Sequence, residues 1–301
     1  MIRKILTYFA ITLLAACLLP AAAFGDERAE ASAYLWRLVN QARVHPLQTI
    51  QDQGIDEEAA REALGDDAWI LDQGLPPLAW NDSLFQAASG HNQDMVAQLY
   101  YGSTGLDGSS VADRIAARDY EAQASDELLG AMAFSGFMEP LEAAKLTFVS
   151  WLMDELNPAY GGARRIFSRE FTEMGISFNA AVLDLGPDVP HNVYVVVADF
   201  AMPLVPRVYL IGNIYEDVNG DGQWELGEGK EGVEVLVRDV ARGESQRWTS
   251  GFLGAYQIAV ADFYFTITVL DSQGQPALSM PFNGISLGRT SNSMVDLCPG
   301  W

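Results

Sequence analysis

The sequence predicts an α+β protein, in which a helix-rich domain at residues 26–205 precedes a small all-β sandwich at residues 206–301. In the first part, apolar residues recur at helical spacing in several long segments and two further apolar runs indicate strands. Pro203 and Pro206 then interrupt the pattern. Beyond them, every periodic segment alternates with period two, which is typical of strands. Since 49% of the residues are hydrophobic, the chain can bury a core in each part.

Residues 1–25 have the features of a signal peptide. Arg3 and Lys4 precede an apolar run that ends in small residues suited to cleavage after Gly25. The four residues that end in Cys17 also fit a bacterial lipobox, so a lipid anchor on Cys17 is an alternative. Both interpretations predict a secreted, extracellular or periplasmic protein with no stable membrane span after processing.

Acidic residues dominate the charge. Asp and Glu number 40 against 18 Lys and Arg, which gives a formal net charge of −22. Such a chain repels nucleic acid and anionic membrane surfaces, because phosphate binding needs clustered basic residues. The sequence therefore excludes a nucleic-acid partner. Cys17 and Cys298 are the two cysteines, so removal or lipidation of Cys17 leaves Cys298 without an intrachain disulfide partner.

The helical segments of the first part carry local start signals. The first is AEASAYLWRLVNQARVHP, and the second is NDSLFQAASGHNQDMVAQ, which Asn81 or Asp82 can cap. Its apolar stripe comprises Leu84, Ala87, Ala88, His91 and Met95. Ser110 and Asp113 predict a capping box, and Pro140 suits the first turn of EPLEAAKLTFVSWLMDEL. FTEMGISF and NVYVVVADFA are the predicted strands.

The strands of the second part each place alternate residues on one face. These inward sets are Val233, Val235 and Val237; Tyr256, Ile258 and Val260; and Phe263, Phe265, Ile267 and Val269. Turn residues separate the runs, so the pattern predicts a compact β-sandwich.

Several segments, in order along residues 30–205, resemble the CAP superfamily of cysteine-rich secretory proteins, antigen 5 and pathogenesis-related 1. They are LVNQARVHPL, LPPLAWNDSLFQAASGHNQDM, STGLDGSSVADRI, the segment VSWLMDEL and FTEMGISF. The resemblance implies a three-layer α–β–α sandwich. Members often carry two His and two acidic residues in a central cleft, and some bind a divalent metal there.

This chain keeps only part of that set. Ser103 and Gly162 stand where the resemblance places the two His, whereas Glu127 and Asp154 match the acidic positions. Imidazole is both a zinc ligand and a base near neutral pH, and two carboxylates alone replace it in neither role. We therefore expect a degenerate cleft without zinc, in which Glu127 and Asp154 face each other and share a proton or a hard cation.

The three histidines of the chain do not supply the missing ligands on the sequence pattern. His91 lies on the apolar stripe of a helix and is interpreted as a core residue. His45 closes a helix before Pro46, where a cation suits the helix dipole. His191 is predicted to lie in a loop.

A calcium loop is predicted at DVNGDGQWELGE. Asp217, Asn219 and Asp221 occupy positions one, three and five of the pattern, Gln223 offers a carbonyl at seven, and Glu228 closes the shell at twelve. Glycine at position six permits the sharp turn. A turn without metal is the alternative.

The surroundings of this loop resemble the B-type β-sandwich modules of bacterial adhesins, Sdr-B-like (as in SdrD) and Cna-B-like. Gly232-Val233 and Gly254-Ala255-Tyr256 match the strands that follow the loop in those modules. Lys230 lies beyond the loop, so no isopeptide bond is expected.

Together these patterns predict a non-catalytic binding or adhesion protein with a calcium-stabilised β-sandwich. Its partner would be a lipid, a wall polymer or a protein. One alternative is a hydrolytic enzyme rebuilt around Glu127 and Asp154. Another is a carbohydrate-binding protein that stacks sugars on Trp224, Trp248, Tyr256 and Tyr264.

Overall fold

The computed structural model describes residues 25–134, 136–157, 164–184, 190–240, 243–259, 264–283 and 291–300. The predicted signal peptide with Cys17, and the position of Gly162, lie outside the described residues. Helices and strands both occur in the described part, which confirms the mixed α and β content. None of the described helices is long and apolar enough to cross a lipid bilayer.

Helices and strands have the following bounds. The helices are α1 Gly25–Val44, α2 Pro46–Asp52, α3 Glu57–Leu64, α4 Ile70–Gln73, α5 Asp82–Gln98, α6 Val111–Ala116 and α7 Pro140–Glu155. The strands are β1 Ala79–Trp80, β2 Ala122–Phe134, β3 Glu173–Asp184, β4 Pro190–Pro203, β5 Tyr209–Asn213, β6 Glu234–Asp239, β7 Ser245–Thr249, β8 Ala255–Ala259, β9 Tyr264–Leu270, β10 Pro276–Asn283 and β11 Ser293–Met294.

The chain divides into two compact units. The first comprises the described part of Met1–Leu38 together with Asn81–Pro203, and the second comprises Val39–Trp80 and Leu204–Trp301. The division after Pro203 lies beside the proline pair that predicts a boundary. The grouping of Val39–Trp80 with the later residues was not part of the sequence prediction.

An antiparallel sheet forms the centre of the first unit, with β4 between β3 and β2. In one row across the sheet, Gly175 on β3 and Glu127 on β2 both stand opposite Asp199 on β4. β3 and β4 confirm the two strands predicted from the sequence. The register therefore brings two buried acidic residues together on neighbouring strands.

Helix α5 packs against β3 and β4. Asn81 caps it by accepting the N–H groups of Ser83 and Leu84, as predicted. A Cβ built on Gly175 would lie 2.1 Å from the backbone nitrogen of Phe85, so only glycine permits this approach. The Asn92 amide donates to strand carbonyls, and the predicted stripe of α5 is buried.

Helix α7 packs against β2. Pro140 opens its first turn, as predicted. The Trp151 indole N–H donates to the Leu129 carbonyl oxygen at 2.9 Å. Gly130 leaves room for Thr147, whose methyl carbon would lie 2.6 Å from an added Cβ. The three-layer arrangement implied by the resemblance stays a prediction.

Two sheets with a shared apolar core characterise the later residues of the second unit. Their strand orders are β10–β9–β6–β7 and β11–β5–β8. The core comprises Leu210, Ile214, Val235, Tyr256, Ile258, Phe265, Ile267, Val269 and Leu297. These residues include most of the described inward positions predicted from period-two patterning, and Val233 and Val237 are partly buried and pack against the core. Val260 and Phe263 lie outside the described residues. The resemblance to B-type adhesin modules stays a prediction.

Candidate functional site

Glu127 lies at the centre of the candidate cleft, on β2. Its side chain is 1% exposed, and a carboxylate so deeply buried needs a compensating partner. Its Oε2 accepts a hydrogen bond from Arg114 Nη2 at 2.7 Å. Its Oε1 accepts none among the described residues and lies 3.8 Å from His91 Nε2.

Arg114 comes from the short helix α6. The predicted capping box is present, since Ser110 Oγ accepts the Asp113 N–H and Asp113 accepts the Ser110 N–H. This cap fixes the start of α6, and from α6 the Arg114 side chain reaches Glu127 on β2. Arg114 Nη1 also donates to the carbonyl oxygens of Ser103 and Ser109 at 3.1 Å each. One guanidinium therefore joins the loop before α6 to the buried Glu127.

His91 approaches Glu127 from α5. Its Nε2 lies 2.9 Å from the Gly102 carbonyl oxygen, which can only accept, so Nε2 carries the proton. Burial lowers the pKa of His91 below its ordinary value, and the charge of Glu127 opposes that shift. The core interpretation of His91 is confirmed by its burial. Its place beside Glu127 was not expected.

Asp199 is the residue that the sequence reasoning missed. It is fully buried on β4, directly opposite Glu127 on β2, whose carboxylate is its side-chain neighbour. Burial, followed by the neighbouring charge of Glu127, raises the pKa of Asp199 well above its usual range. We infer that Asp199 carries a proton at neutral pH. An acid inside the apolar run VYVVVADF was the available signal.

Asp154 and Ser103 are both exposed, in contrast to the buried Glu127. Asp154 is an exposed residue near the end of α7. Its carboxyl is partly buried, and this partial burial raises its pKa above the usual value. Ser103 is exposed, and its backbone carbonyl is the group that reaches the cluster. Partial burial, and then the charges of Glu127 and Asp154, raise the pKa of Tyr101 to about 12. Glu127 pairs with Arg114 and lies 3.8 Å from His91, and its expected pairing with Asp154 stays a prediction.

Glu155, the neighbour of Asp154, has a structural position. Its Oε1 accepts the N–H groups of Arg165 and Ile166 at 2.8 Å each, and its Oε2 accepts that of Phe167 at 3.1 Å. Glu155 is buried, so these bonds anchor the segment that follows the predicted position of the second histidine. That position, Gly162, lies outside the described residues.

A divalent metal does not fit the residues of this cleft. One oxygen of Glu127, Oε2, is paired with the Arg114 guanidinium, whose charge would repel a metal ion bound at the neighbouring Oε1. His91 uses its protonated nitrogen on a carbonyl, and Asp199 is neutral by the argument above. Among the described residues, no group of three His, Cys, Asp or Glu side chains is arranged to hold a metal ion. The expectation of a zinc-free cleft itself stays a prediction.

The predicted calcium loop lies between β5 and β6. Asp217 accepts the N–H groups of Gly220, Asp221 and Gly222. Asn219 Oδ1 accepts the Asp221 N–H. These contacts wind the segment into a tight loop with its polar side chains turned inward.

Glu228 closes this loop from its far end. It is buried, and its two oxygens accept the N–H groups of Val218 and Glu225 at 2.9 Å each. Gln223 is exposed, and its N–H donates to Asp221. The donor set consists of carboxylate, amide and carbonyl oxygens, which are the ligands that calcium prefers. Calcium binding stays a prediction.

The aromatic residues proposed for sugar stacking do not share one surface. Trp224 is buried, and its indole N–H donates to the Leu253 carbonyl oxygen at 3.3 Å. Tyr256 is also buried, whereas Trp248 and Tyr264 are exposed. Two of the four candidates are therefore part of the core.

An open apolar groove lies beside β2 and α7 in the first unit. It encloses about 660 Å³. Its lining includes Met132, Phe134, Leu146, Val149, Met153 and the carboxyl-bearing Asp154. Leu146 and Met153 are exposed to solvent, so the groove is accessible from outside.

Comparison with known proteins identifies a family for residues 36–186. The family model described as CAP, the cysteine-rich secretory protein family, matches residues 36–186, which is half of the chain. No curated protein matches the chain. An extracellular protein containing an SCP domain from Bacillus anthracis str. Ames is similar over 66% of this chain, with 16% identity and a TM-score of 0.37. This chain spans about half of that protein, covering 49% of its length.

Two further solved structures show partial similarity. An outer surface protein from Borrelia burgdorferi is 18% identical, with a TM-score of 0.30, and the match covers 52% of this chain and 95% of that one. A DUF3823 family protein from Parabacteroides merdae is 17% identical, with a TM-score of 0.22, over 31% of this chain and 45% of that one.

Proposed function

Because the chain belongs to the cysteine-rich secretory protein family, known as CAP, we propose that it is a secreted or envelope-associated bacterial protein that uses this fold to bind a partner without catalysis. The observation that carries the proposal is the state of Glu127. Its side chain is 1% exposed and its charge is neutralised by Arg114 at 2.7 Å. A general base must reach a substrate proton, directly or through one water, and this carboxylate has no such access.

The remaining polar groups do not form a nucleophile and base pair. Ser103 is exposed, and its contact with the cluster is made by its backbone carbonyl. His91 donates its Nε2 proton to a carbonyl oxygen and is buried. Asp154 is exposed. The hydrolytic alternative therefore finds no assembled site among the described residues.

The groove beside β2 and α7 is the surface proposed for binding. Ligand sites in proteins are concave and mostly apolar, with a few polar groups that orient the ligand. Apolar Leu146 and Met153 are exposed there, and Asp154 supplies a polar group. This composition suits the apolar part of a lipid, a wall-polymer precursor or a protein segment.

The β-rich part is proposed to act as a calcium-stiffened module. Asp217, Asp221 and Glu228 bring three carboxylates into one loop, where they repel each other unless a cation neutralises them. Calcium outside cells is millimolar, so even a weak site of this kind would be filled. Trp224 is buried and does not present its ring to a sugar, so this residue does not support the carbohydrate-binding alternative.

Co-sedimentation tests the binding proposal. The chain from residue 26 onward is incubated with purified bacterial wall sacculi and with phosphatidylcholine vesicles. We expect binding to one of them that falls at least about tenfold, equivalent to roughly 1.4 kcal/mol, when Leu146 and Met153 are both changed to Asp.

Glu127→Gln is the matched control and should bind as the wild type does. Binding that ignores the groove substitutions would contradict the assignment of the groove. Release of a hydrolysis product from the sacculi or lipid that Glu127→Gln abolishes would contradict the non-catalytic proposal.

A further inference from the structure

The buried carboxylate of Glu127 has a counter-ion supplied by the chain itself. Arg114 Nη2 lies 2.7 Å from Glu127 Oε2, and the two side chains are 11% and 1% exposed. We propose that the guanidinium of Arg114 is the built-in counter-ion of Glu127 and keeps a divalent cation out of this cleft. This inference concerns the electrostatics of the cleft and does not depend on the proposed binding role.

The contacts of Arg114 resemble the coordination of a hard cation. Its guanidinium donates hydrogen bonds to one carboxylate oxygen, from Glu127, and to two backbone carbonyl oxygens, from Ser103 and Ser109. Carboxylate and carbonyl oxygens are also the ligands that hard cations select. An ordinary surface ion pair would link two side chains only. Arg114 instead binds a strand and two separate carbonyl groups of the loop that precedes its own helix.

The charges in the cluster balance without any further ion. Glu127 and Arg114 carry opposite charges and are paired. Burial lowers the pKa of His91 and raises the pKa of Asp199, and both shifts favour the neutral forms. A divalent cation beside Glu127 would meet the guanidinium at close range, in a site where water screens the repulsion poorly. The arrangement predicts that the wild-type cleft excludes divalent metals.

A mutant cycle tests the counter-ion role. Arg114→Met, Glu127→Gln and the double variant are made in the chain from residue 26 onward, and their melting temperatures are compared. Removal of one partner from a buried pair leaves an unpaired charge, so Arg114→Met should melt roughly 6–20 °C below the wild type. The double variant should melt higher than Arg114→Met, because it buries no charge.

The cycle separates charge pairing from loop contacts. If Arg114 acted only through Ser103 and Ser109, the double variant would be no more stable than Arg114→Met. That result would overturn the proposal. Failure of both Arg114→Met and the double variant to fold would overturn it as well. A fold recovered only in the double variant would support it.

Zinc titration gives an independent readout. Because the surface is acidic, weak binding elsewhere is expected, and the comparison is therefore between wild type and Glu127→Gln. By calorimetry the two proteins should bind the same number of zinc ions. One additional ion in the wild type would show that Glu127 is a metal ligand and would overturn the proposal.

Discussion

The buried carboxylate of Glu155 anchors the backbone segment Arg165 to Phe167, and its contribution to stability can be measured. Its two oxygens accept three consecutive backbone N–H groups, from Arg165 to Phe167. Replacing Glu155 with Ala removes all three acceptors at once. At least two of the three N–H groups, those of Ile166 and Phe167, belong to buried residues, where water does not readily substitute.

The size of the effect follows from these unsatisfied groups. A buried N–H without an acceptor costs about 1–3 kcal/mol, so three could cost up to roughly 9 kcal/mol. Removing the buried charge of Glu155 offsets part of that cost, since burial itself disfavours the carboxylate. We expect a net loss of about 3–5 kcal/mol, which corresponds to a melting temperature lower by roughly 6–20 °C.

Urea and thermal unfolding of the chain from residue 26 onward measure this loss. Asp154→Ala is the matched control, because Asp154 is the adjacent residue and is exposed. The control should stay within about 0.5 kcal/mol of the wild type. Equal stability of Glu155→Ala and Asp154→Ala would refute the argument that this carboxylate anchors the segment.

Three further predictions concern other parts of the molecule. Gly175→Ala should lower the free energy of unfolding by about 1–3 kcal/mol or more, because its Cβ would meet the α5 backbone at 2.1 Å. Gly136→Ala, with nothing within 4 Å, should match the wild type in the same melts. Millimolar calcium at about 100 times the dissociation constant should add about 2.7 kcal/mol to the free energy of unfolding relative to chelator. Glu228→Ala should abolish this gain. Identical wild-type melting curves with calcium and with chelator would show that the loop is a turn without metal. Because the folded-state pKa of Asp199 is raised, its contribution to stability is present below the unfolded pKa of about 3.9 and is lost as pH rises through the folded value. Asp199→Asn should therefore become more stable relative to the wild type between pH 4 and pH 9, and a constant difference would contradict the assignment.

Local sequence signals predicted much of the fold. The sequence predicts a cap at Asn81 or Asp82, the capping box at Ser110 and the first turn at Pro140, because each depends on residues close in sequence, and the structure has Asn81 as the cap. Strand β2 was missed. Its sequence AQASDELLGAMAF is rich in Ala and has weak strand propensity, so its pairing with β4 over most of its length determines its structure.

The candidate site was less predictable, because its members meet through sheet register. Glu127 was identified from the family resemblance, whereas its partners come from distant parts of the chain. Asp199 reaches it across the β2–β4 ladder, and Arg114 reaches it from α6. No local pattern states which strand residues stand opposite each other. The single local clue was an acid within a run of apolar residues.

Anomalous diffraction tests the central claim most directly. Crystals of the chain from residue 26 onward, soaked in zinc and measured at the zinc absorption edge, locate every bound ion independently of activity. We predict no anomalous peak within roughly 2.5 Å of the Glu127 carboxylate, with Arg114 in place at Oε2. A zinc peak coordinated by Glu127, with the Arg114 side chain displaced, would contradict the account.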